Sequence, residues 1–204
     1  MHHSPFRLCL LLTRDLCAGD PLERMQAAVR EGVDMVQVRE KEMTAAELFD
    51  WGAKVLALGR ELKVAVLIND SVEVAHALDA DGVHLGQDDL PPAEARAILG
   101  RNKLIGLSTH DLDQIEQAHG LPVNYLGFGP IFPTATKGYT TGVGPDALVQ
   151  ALTLAPVPLL AIGGINAQNA WKIPRAAGIA ASSSICSTKE LAKDCLAIGR
   201  FDLY

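Results

Sequence analysis

Short apolar runs recur along the chain and alternate with longer, helix-like stretches. The runs expected as strands are Leu8–Thr13, Met35–Val38, Ala65–Ile68, Gly82–Leu85, Leu104–Leu107, Tyr125–Phe128, Leu159–Ile162 and Ile179–Ser182. The stretches expected as helices are Leu22–Arg30, Ala45–Leu62, Val72–Leu78, Ala93–Leu99, Leu112–Ala118, Pro145–Leu154, Ala167–Ala176 and Lys189–Ile198. Runs that are apolar at consecutive positions suit a sheet with helices over one face and a packed core on the other. Helix starts are marked too. Thr44-Ala45-Ala46-Glu47 fits a capping box, and Pro91-Pro92 and Pro145-Asp146 fall where a first helical turn tolerates proline. Strict alternation of strand and helix implies a parallel sheet with right-handed crossovers. Eight such units close into a compact α/β fold, a (β/α)8 TIM barrel, with residues 1–204 expected as one domain. An open doubly wound sheet is the alternative, but no GxGxxG opens a helix after the first strand.

In a barrel of this kind the active site lies at the C-terminal ends of the strands. The second run continues through Gln37-Val38-Arg39-Glu40-Lys41, where alternation sends Gln37, Arg39 and Lys41 to one side and Val38 and Glu40 to the other. The third ends in Asn69-Asp70, the fourth leads to Gln87-Asp88-Asp89, and the fifth ends in Ser108-Thr109-His110. The seventh leads to Gly163-Gly164 and the eighth to Ser182-Ser183-Ser184. Each has an ordinary reading. Asn69-Asp70 and Asp88-Asp89 could cap helices, His110 reads as a cap or surface residue, and His84 as a satisfied core histidine. Their gathering at one end of successive strands favours a site. Arg39, Lys41 and Lys137 can neutralise a group carrying more than one phosphate. Asp70 and Asp89 offer two carboxylates to a hard cation such as Mg2+, which completes its shell with water and substrate phosphates.

The sixth run opens the stretch Tyr125–Gly142, YLGFGPIFPTATKGYTTG, a long segment without helical periodicity. Its threonines, loop amides and single lysine suit an anion, against the plain alternative of a glycine-bounded surface loop. The glycine pair Gly163-Gly164 lets backbone amides approach a second phosphate. Two phosphorylated ligands, one of them a diphosphate, are therefore expected.

Composition narrows the class without changing it. Apolar residues make up 49% and charged residues 21%, and the net charge of -6 comes without blocks of like charge. That balance argues against a general nucleic-acid partner. Cys9, Cys17, Cys186 and Cys195 show neither CxxC spacing nor zinc-like pairing with histidine, so free thiols in a reducing, cytoplasmic setting are expected. No run is long enough for a membrane span or signal peptide, and a homo-oligomer is left open.

The motifs VQVREK (Val36–Lys41), LIND (Leu67–Asp70), DGVHLGQDDL (Asp81–Leu90), IGLSTH (Ile105–His110), GFGPIFPTATK (Gly127–Lys137) and AIGGI (Ala161–Ile165) come in an order and spacing that resemble the thiamine-phosphate synthase family. The resemblance implies a transferase joining a hydroxymethylpyrimidine diphosphate to a thiazole phosphate, with departure of the diphosphate ahead of attack by the thiazole nitrogen. It implies that Gln37, Val38, Arg39, Glu40, Lys41, Asn69, Ser108 and Lys137 bind the pyrimidine diphosphate, with Arg39, Lys41, Ser108 and Lys137 serving catalysis. It further implies that Asp70 and Asp89 hold magnesium, and that Thr134, Ala135, Thr136, Gly164, Ser182 and Ser183 contact the thiazole phosphate. Two segments depart from the family pattern: AAGIAASSSI (Ala176–Ile185) is shorter and poorer in valine, and KGYTTGVG (Lys137–Gly144) is less charged. The related thiazole tautomerases are the nearest alternative, with His110 where their catalytic histidine is expected. A non-catalytic phosphate-ligand regulator is a third reading, one that would not need the carboxylate pair.

Overall fold

The computed structural model describes residues 4–134 and 140–199. Eight parallel strands form a closed barrel in sequence order: β1 (Leu8–Leu12), β2 (Met35–Val38), β3 (Ala65–Asn69), β4 (Gly82–Leu85), β5 (Leu104–Thr109), β6 (Tyr125–Phe128), β7 (Leu159–Ile162) and β8 (Gly178–Ala181). The seam closes where Leu8, Cys9 and Leu10 pair with Ile179, Ala180 and Ala181. Around it run α1 (Pro21–Arg30), α2 (Ala45–Leu62), α3 (Val72–Ala77), α4 (Pro92–Leu99), α5 (Leu112–Gln117), α6 (Gly144–Leu154), α7 (Ser183–Cys186) and α8 (Leu191–Gly199). No described helix is long and apolar enough to cross a membrane.

The helix starts follow local chemistry. Asp20 accepts from the Leu22 and Glu23 amides at the head of α1. Thr44 and Glu47 form the reciprocal capping box of α2, with bonds of 2.8 and 3.3 Å. One expected helix is not there. Residues 167–176 form only a 3-10 turn, Ala170–Lys172. Asn166 and Asn169 turn their side chains onto nearby backbone groups, and Pro174 holds Ile173 in an extended conformation, so an α-helix cannot propagate. The short helix α7, absent from the sequence-based expectation, begins where β8 was expected to continue into Ser182.

Period-two alternation separates two cores. Leu8, Leu10, Leu12, Val36, Val38, Val66, Ile68, Val83 and Leu85 face outward and pack beneath the helices. Cys9, Leu11, Met35, Leu67, Tyr125, Leu160 and Ala180 fill the barrel itself. Large and small residues must interdigitate in so narrow an interior. A Cβ on Gly106 would lie 2.2 Å from Tyr125 Cζ and 2.6 Å from His84 Nδ1, so glycine at this inward position is a packing requirement.

Gly106→Ala is therefore expected to cost about 1–3 kcal/mol through overpacking. The measurement is the urea midpoint at constant slope; an unchanged midpoint would show that Tyr125 and His84 yield freely.

Candidate active site

The end of β2 is built by alternation. Gln37 and Arg39 are buried, and the Arg39 amide extends the ladder by donating to the Leu12 carbonyl at 2.9 Å. Burial lowers the Arg39 pKa, while the Asp70 and Glu40 carboxylates oppose that and favour its charge. Lys41, one step further on, is exposed. Val38 lies fully buried in the outer core, so its side chain belongs to packing. Glu40 also turns away, accepting from the Arg14 amide at 2.9 Å and standing 3.8 Å from its guanidinium. Within Gln37–Lys41, then, the inward side chains are Gln37 and Arg39, and Val38 and Glu40 can offer only backbone.

Asp70 and Asp89 leave neighbouring strand ends and meet. Asp70 donates its amide to the His84 carbonyl at 2.8 Å and takes a left-handed conformation, φ 63°, which aspartate tolerates better than most residues. Neither carboxylate is a helix cap. Ser71 caps α3 by accepting from the Val74 amide, and α4 starts at Pro91 without a side-chain cap. Asp89 Oδ2 instead accepts from the Gly86 amide at 2.6 Å. Partial desolvation, a hydrogen bond with Asp89 and repulsion from its charge push Asp70 up to about 6, with Lys41 and Arg39 pulling the other way. Above that value both carboxylates are ionised, and two adjacent carboxylates offer oxygen donors suited to a hard divalent cation. Among the described residues no cluster of three or more candidate ligands occurs, and magnesium needs only one or two carboxylates.

The floor of the site is a hydrogen-bonded chain across three strands. His84 Nδ1 meets the Tyr125 hydroxyl and Nε2 meets the Ser108 hydroxyl, each at 2.9 Å. Gln37 interacts with the same Tyr125 hydroxyl, whose ionisation burial strongly disfavours. His84 is thus the satisfied core histidine expected, but its link to Ser108 was not legible beforehand. The one hint is the pair Gly106 and Gly127, inward glycines on β5 and β6 that clear space beside the imidazole. His110, expected as a cap or surface residue, lines the cavity instead, with Nδ1 donating to the Gly129 carbonyl at 2.7 Å. Asp111 is the cap of α5.

Above this floor lies a cavity of about 680 Å³. It reaches Arg39, Ser108 and His110 on one side, and Thr134, Gly163, Gly164 and Ser182–Ser184 on the other. Gln37, Lys41, Asn69, Asp70 and Asp89 stand outside its lining. The glycine pair has φ values of 94° and 64°, and a Cβ on Gly164 would come 2.5 Å from the Pro133 carbonyl oxygen. Its first role is to seat the Pro130–Pro133 segment. Ser182 and Ser184 spend their hydroxyls on the Leu11 and Ile165 carbonyls at 3.0 and 2.9 Å. At this wall the hydroxyls of Ser182 and Ser184 are thus already engaged with backbone carbonyls. Ala135, Thr136 and Lys137 lie outside the described residues.

Fold and cavity define a (β/α)8 barrel whose strand ends are arranged for phosphorylated small molecules. Residues 8–185 match the family described as thiamine monophosphate synthase. The chain is 40% identical over 203 residues to the thiamine-phosphate synthase of Chlorobium luteolum, covering 96% of this chain and 93% of that protein. It is 44% identical over 161 residues to that of Synechococcus sp., a match covering 79% of this chain and 46% of the longer relative. The solved thiamine phosphate pyrophosphorylase from Pyrococcus furiosus superposes with a TM-score of 0.85 at 30% identity, over 96% of this chain and 94% of that one. The chain belongs to the thiamine-phosphate synthase family.

Because Asp70 holds its proton more tightly folded than unfolded, its contribution to stability is full below the ordinary aspartate range and is lost as pH rises through about 6. Its carboxyl carbon resonance is expected to titrate near 6. Asp89→Asn should return the midpoint toward the ordinary range, and magnesium should lower it in the native protein. A midpoint near 4 in the metal-free native protein would contradict the pairing.

Proposed function

We infer that this chain is a thiamine-phosphate synthase, a transferase that joins 4-amino-2-methyl-5-hydroxymethylpyrimidine diphosphate to a thiazole phosphate. The products are thiamine phosphate and pyrophosphate. The observation that carries this reading is the pairing of Asp70 with Asp89 beside buried Arg39, which itself lines the cavity, in a chain whose residues 8–185 match the family. A phosphate-only binder has no evident use for two adjacent carboxylates on the cationic side of its pocket.

The bond to break is the one between the pyrimidine methylene carbon and the diphosphate oxygen, whose electron pair leaves with the diphosphate. Arg39, held in a partly desolvated setting, stabilises the growing negative charge more strongly than an exposed cation could. Lys41 and Lys137 add to that neutralisation. Magnesium held by Asp70 and Asp89 would supply further charge compensation. The methylene left behind is a cation conjugated with the pyrimidine, and the thiazole nitrogen closes on it with its own lone pair. No protein nucleophile is required. Ser108, fixed by His84, orients the pyrimidine side, with Gln37 and Asn69 beside it. Thr134, Ala135 and Thr136, Gly164 and the Ser182–Ser183 backbone take the thiazole phosphate across the cavity. Four free cysteines suit a reducing, cytoplasmic setting.

His110 in the cavity wall supports a second reading, proton transfer on the thiazole phosphate alone. The two are separated by one incubation. Protein, both substrates and magnesium are expected to yield thiamine phosphate by mass detection, and Asp70→Ala or Asp89→Ala to lower turnover about 100-fold or more with circular dichroism unchanged. Undiminished turnover in both variants would remove the metal assignment. Interconversion of thiazole tautomers without the pyrimidine partner, and no thiamine phosphate, would favour the isomerase.

A further inference from the structure

Two cysteines outside the barrel interior meet beside the β8 wall of the cavity. Cys17 follows the 3-10 turn Arg14–Leu16 after β1, and Cys186 ends α7. The Ala18 amide donates to the Cys186 carbonyl at 2.9 Å, tying the two backbones together. The Cys17 thiol donates to the Thr13 carbonyl at 3.4 Å and the Cys186 thiol to the Leu11 carbonyl at 3.6 Å, so both sulfurs converge on the end of β1. Each thiol is the other's strongest influence. Their interaction draws Cys186 below the ordinary thiol range and pushes Cys17 above it. Cys186 is buried and Cys17, half-buried, is the outer of the two. The remaining cysteines have no such arrangement: Cys9 is buried inside the barrel and burial pushes Cys195 up to about 12.

We propose that Cys17 and Cys186 are a redox modification site that closes to a reversible disulfide when the protein meets hydrogen peroxide. One of the two sulfurs attacks a peroxide oxygen as its thiolate, the O–O bond breaks, and the departing hydroxide takes up a proton as water. The second sulfur then displaces the sulfenic hydroxyl. The S–S bond forms, the S–O bond breaks, and the proton of the second thiol leaves with the hydroxyl as a second water. Two thiols lose two electrons and two protons, and one peroxide becomes two waters. A dithiol reverses the step by exchange.

The consequence reaches the cavity through one carbonyl. Leu11 accepts from both the Cys186 thiol and the Ser182 hydroxyl. Turning the Cys186 sulfur to Cys17 gives up the first bond and fastens α7 to the β1 loop, while Ser183 and Ser184 in α7 line the cavity. Oxidation therefore weakens capture of the thiazole phosphate, an effect that rests on the synthase reading above.

The full chain, treated with peroxide and then alkylated under denaturing conditions, is expected to lose two hydrogen masses and yield one cross-linked peptide pair containing Cys17 and Cys186. Cys9 and Cys195 remain alkylatable. Cys17→Ser abolishes the cross-link, and if Cys186→Ser fails to fold this variant alone carries the test. In turnover, oxidation raises KM for the thiazole phosphate at least threefold, dithiothreitol restores it, and Cys17→Ser is indifferent to the same dose. Full alkylation of both thiols after peroxide, or over-oxidation of Cys186 without a cross-link, overturns the site. A cross-link with unchanged KM overturns its effect on the cavity. If even the reduced protein makes no thiamine phosphate, the synthase reading fails while the mass readout still decides the cross-link.

Discussion

Closing eight short parallel strands leaves a cylinder that only a few inward side chains per layer can fill, and everything at the top of the barrel depends on how that space is used. Tyr125 and His84 occupy its middle because Gly106 and Gly127 vacate it. Both polar groups are buried, so each needs a partner, and the chain Tyr125–His84–Ser108 supplies them. Since burial keeps the tyrosine protonated, its hydroxyl remains a neutral hydrogen-bonding partner near neutral pH. The Ser108 hydroxyl is thereby held from below by a packed core instead of by a mobile loop.

On that floor the two halves of the mouth differ in kind. From β2 to β4 the strand ends carry full charges, with Arg39 drawn inward and Asp70 set against Asp89. From β6 to β8 they carry glycines, threonine and serines, several of whose polar groups are already spent on backbone. One half can compensate a large change in charge; the other can position a phosphate whose charge does not change.

Most of the barrel was legible because period-two alternation and helix punctuation are local. Four strands have the bounds expected from the apolar runs alone, and Gln37 and Arg39 turn inward as alternation requires. What escaped depended on distant partners. The helix expected over 167–176 was undone by Asn166, Asn169 and Pro174 acting together. Whether Asn69-Asp70 capped a helix could be settled only by finding Ser71 in that role. The tie between His84 and Ser108 joins residues 24 apart in the chain, and that between His84 and Tyr125 joins residues 41 apart. His110 looked like a cap because Asp111, the real one, follows it.

The described ends of the stretch after β6 are fixed by the neighbouring strand end. Its stem is pinned at both ends. Ile131 and Phe132 donate to the Ile162 and Gly163 carbonyls at 2.8 and 3.0 Å, and Val143 and Gly144 donate back to Pro130 and Ile131 at 2.8 and 3.0 Å. The close approach is possible because Gly142, Gly163 and Gly164 lack the Cβ that would strike the opposing backbone. Conformational entropy is lost once, on folding, for every residue in that stem. The base of the mouth beside β6 and β7 is thereby set by folding and costs no further ordering when a ligand binds.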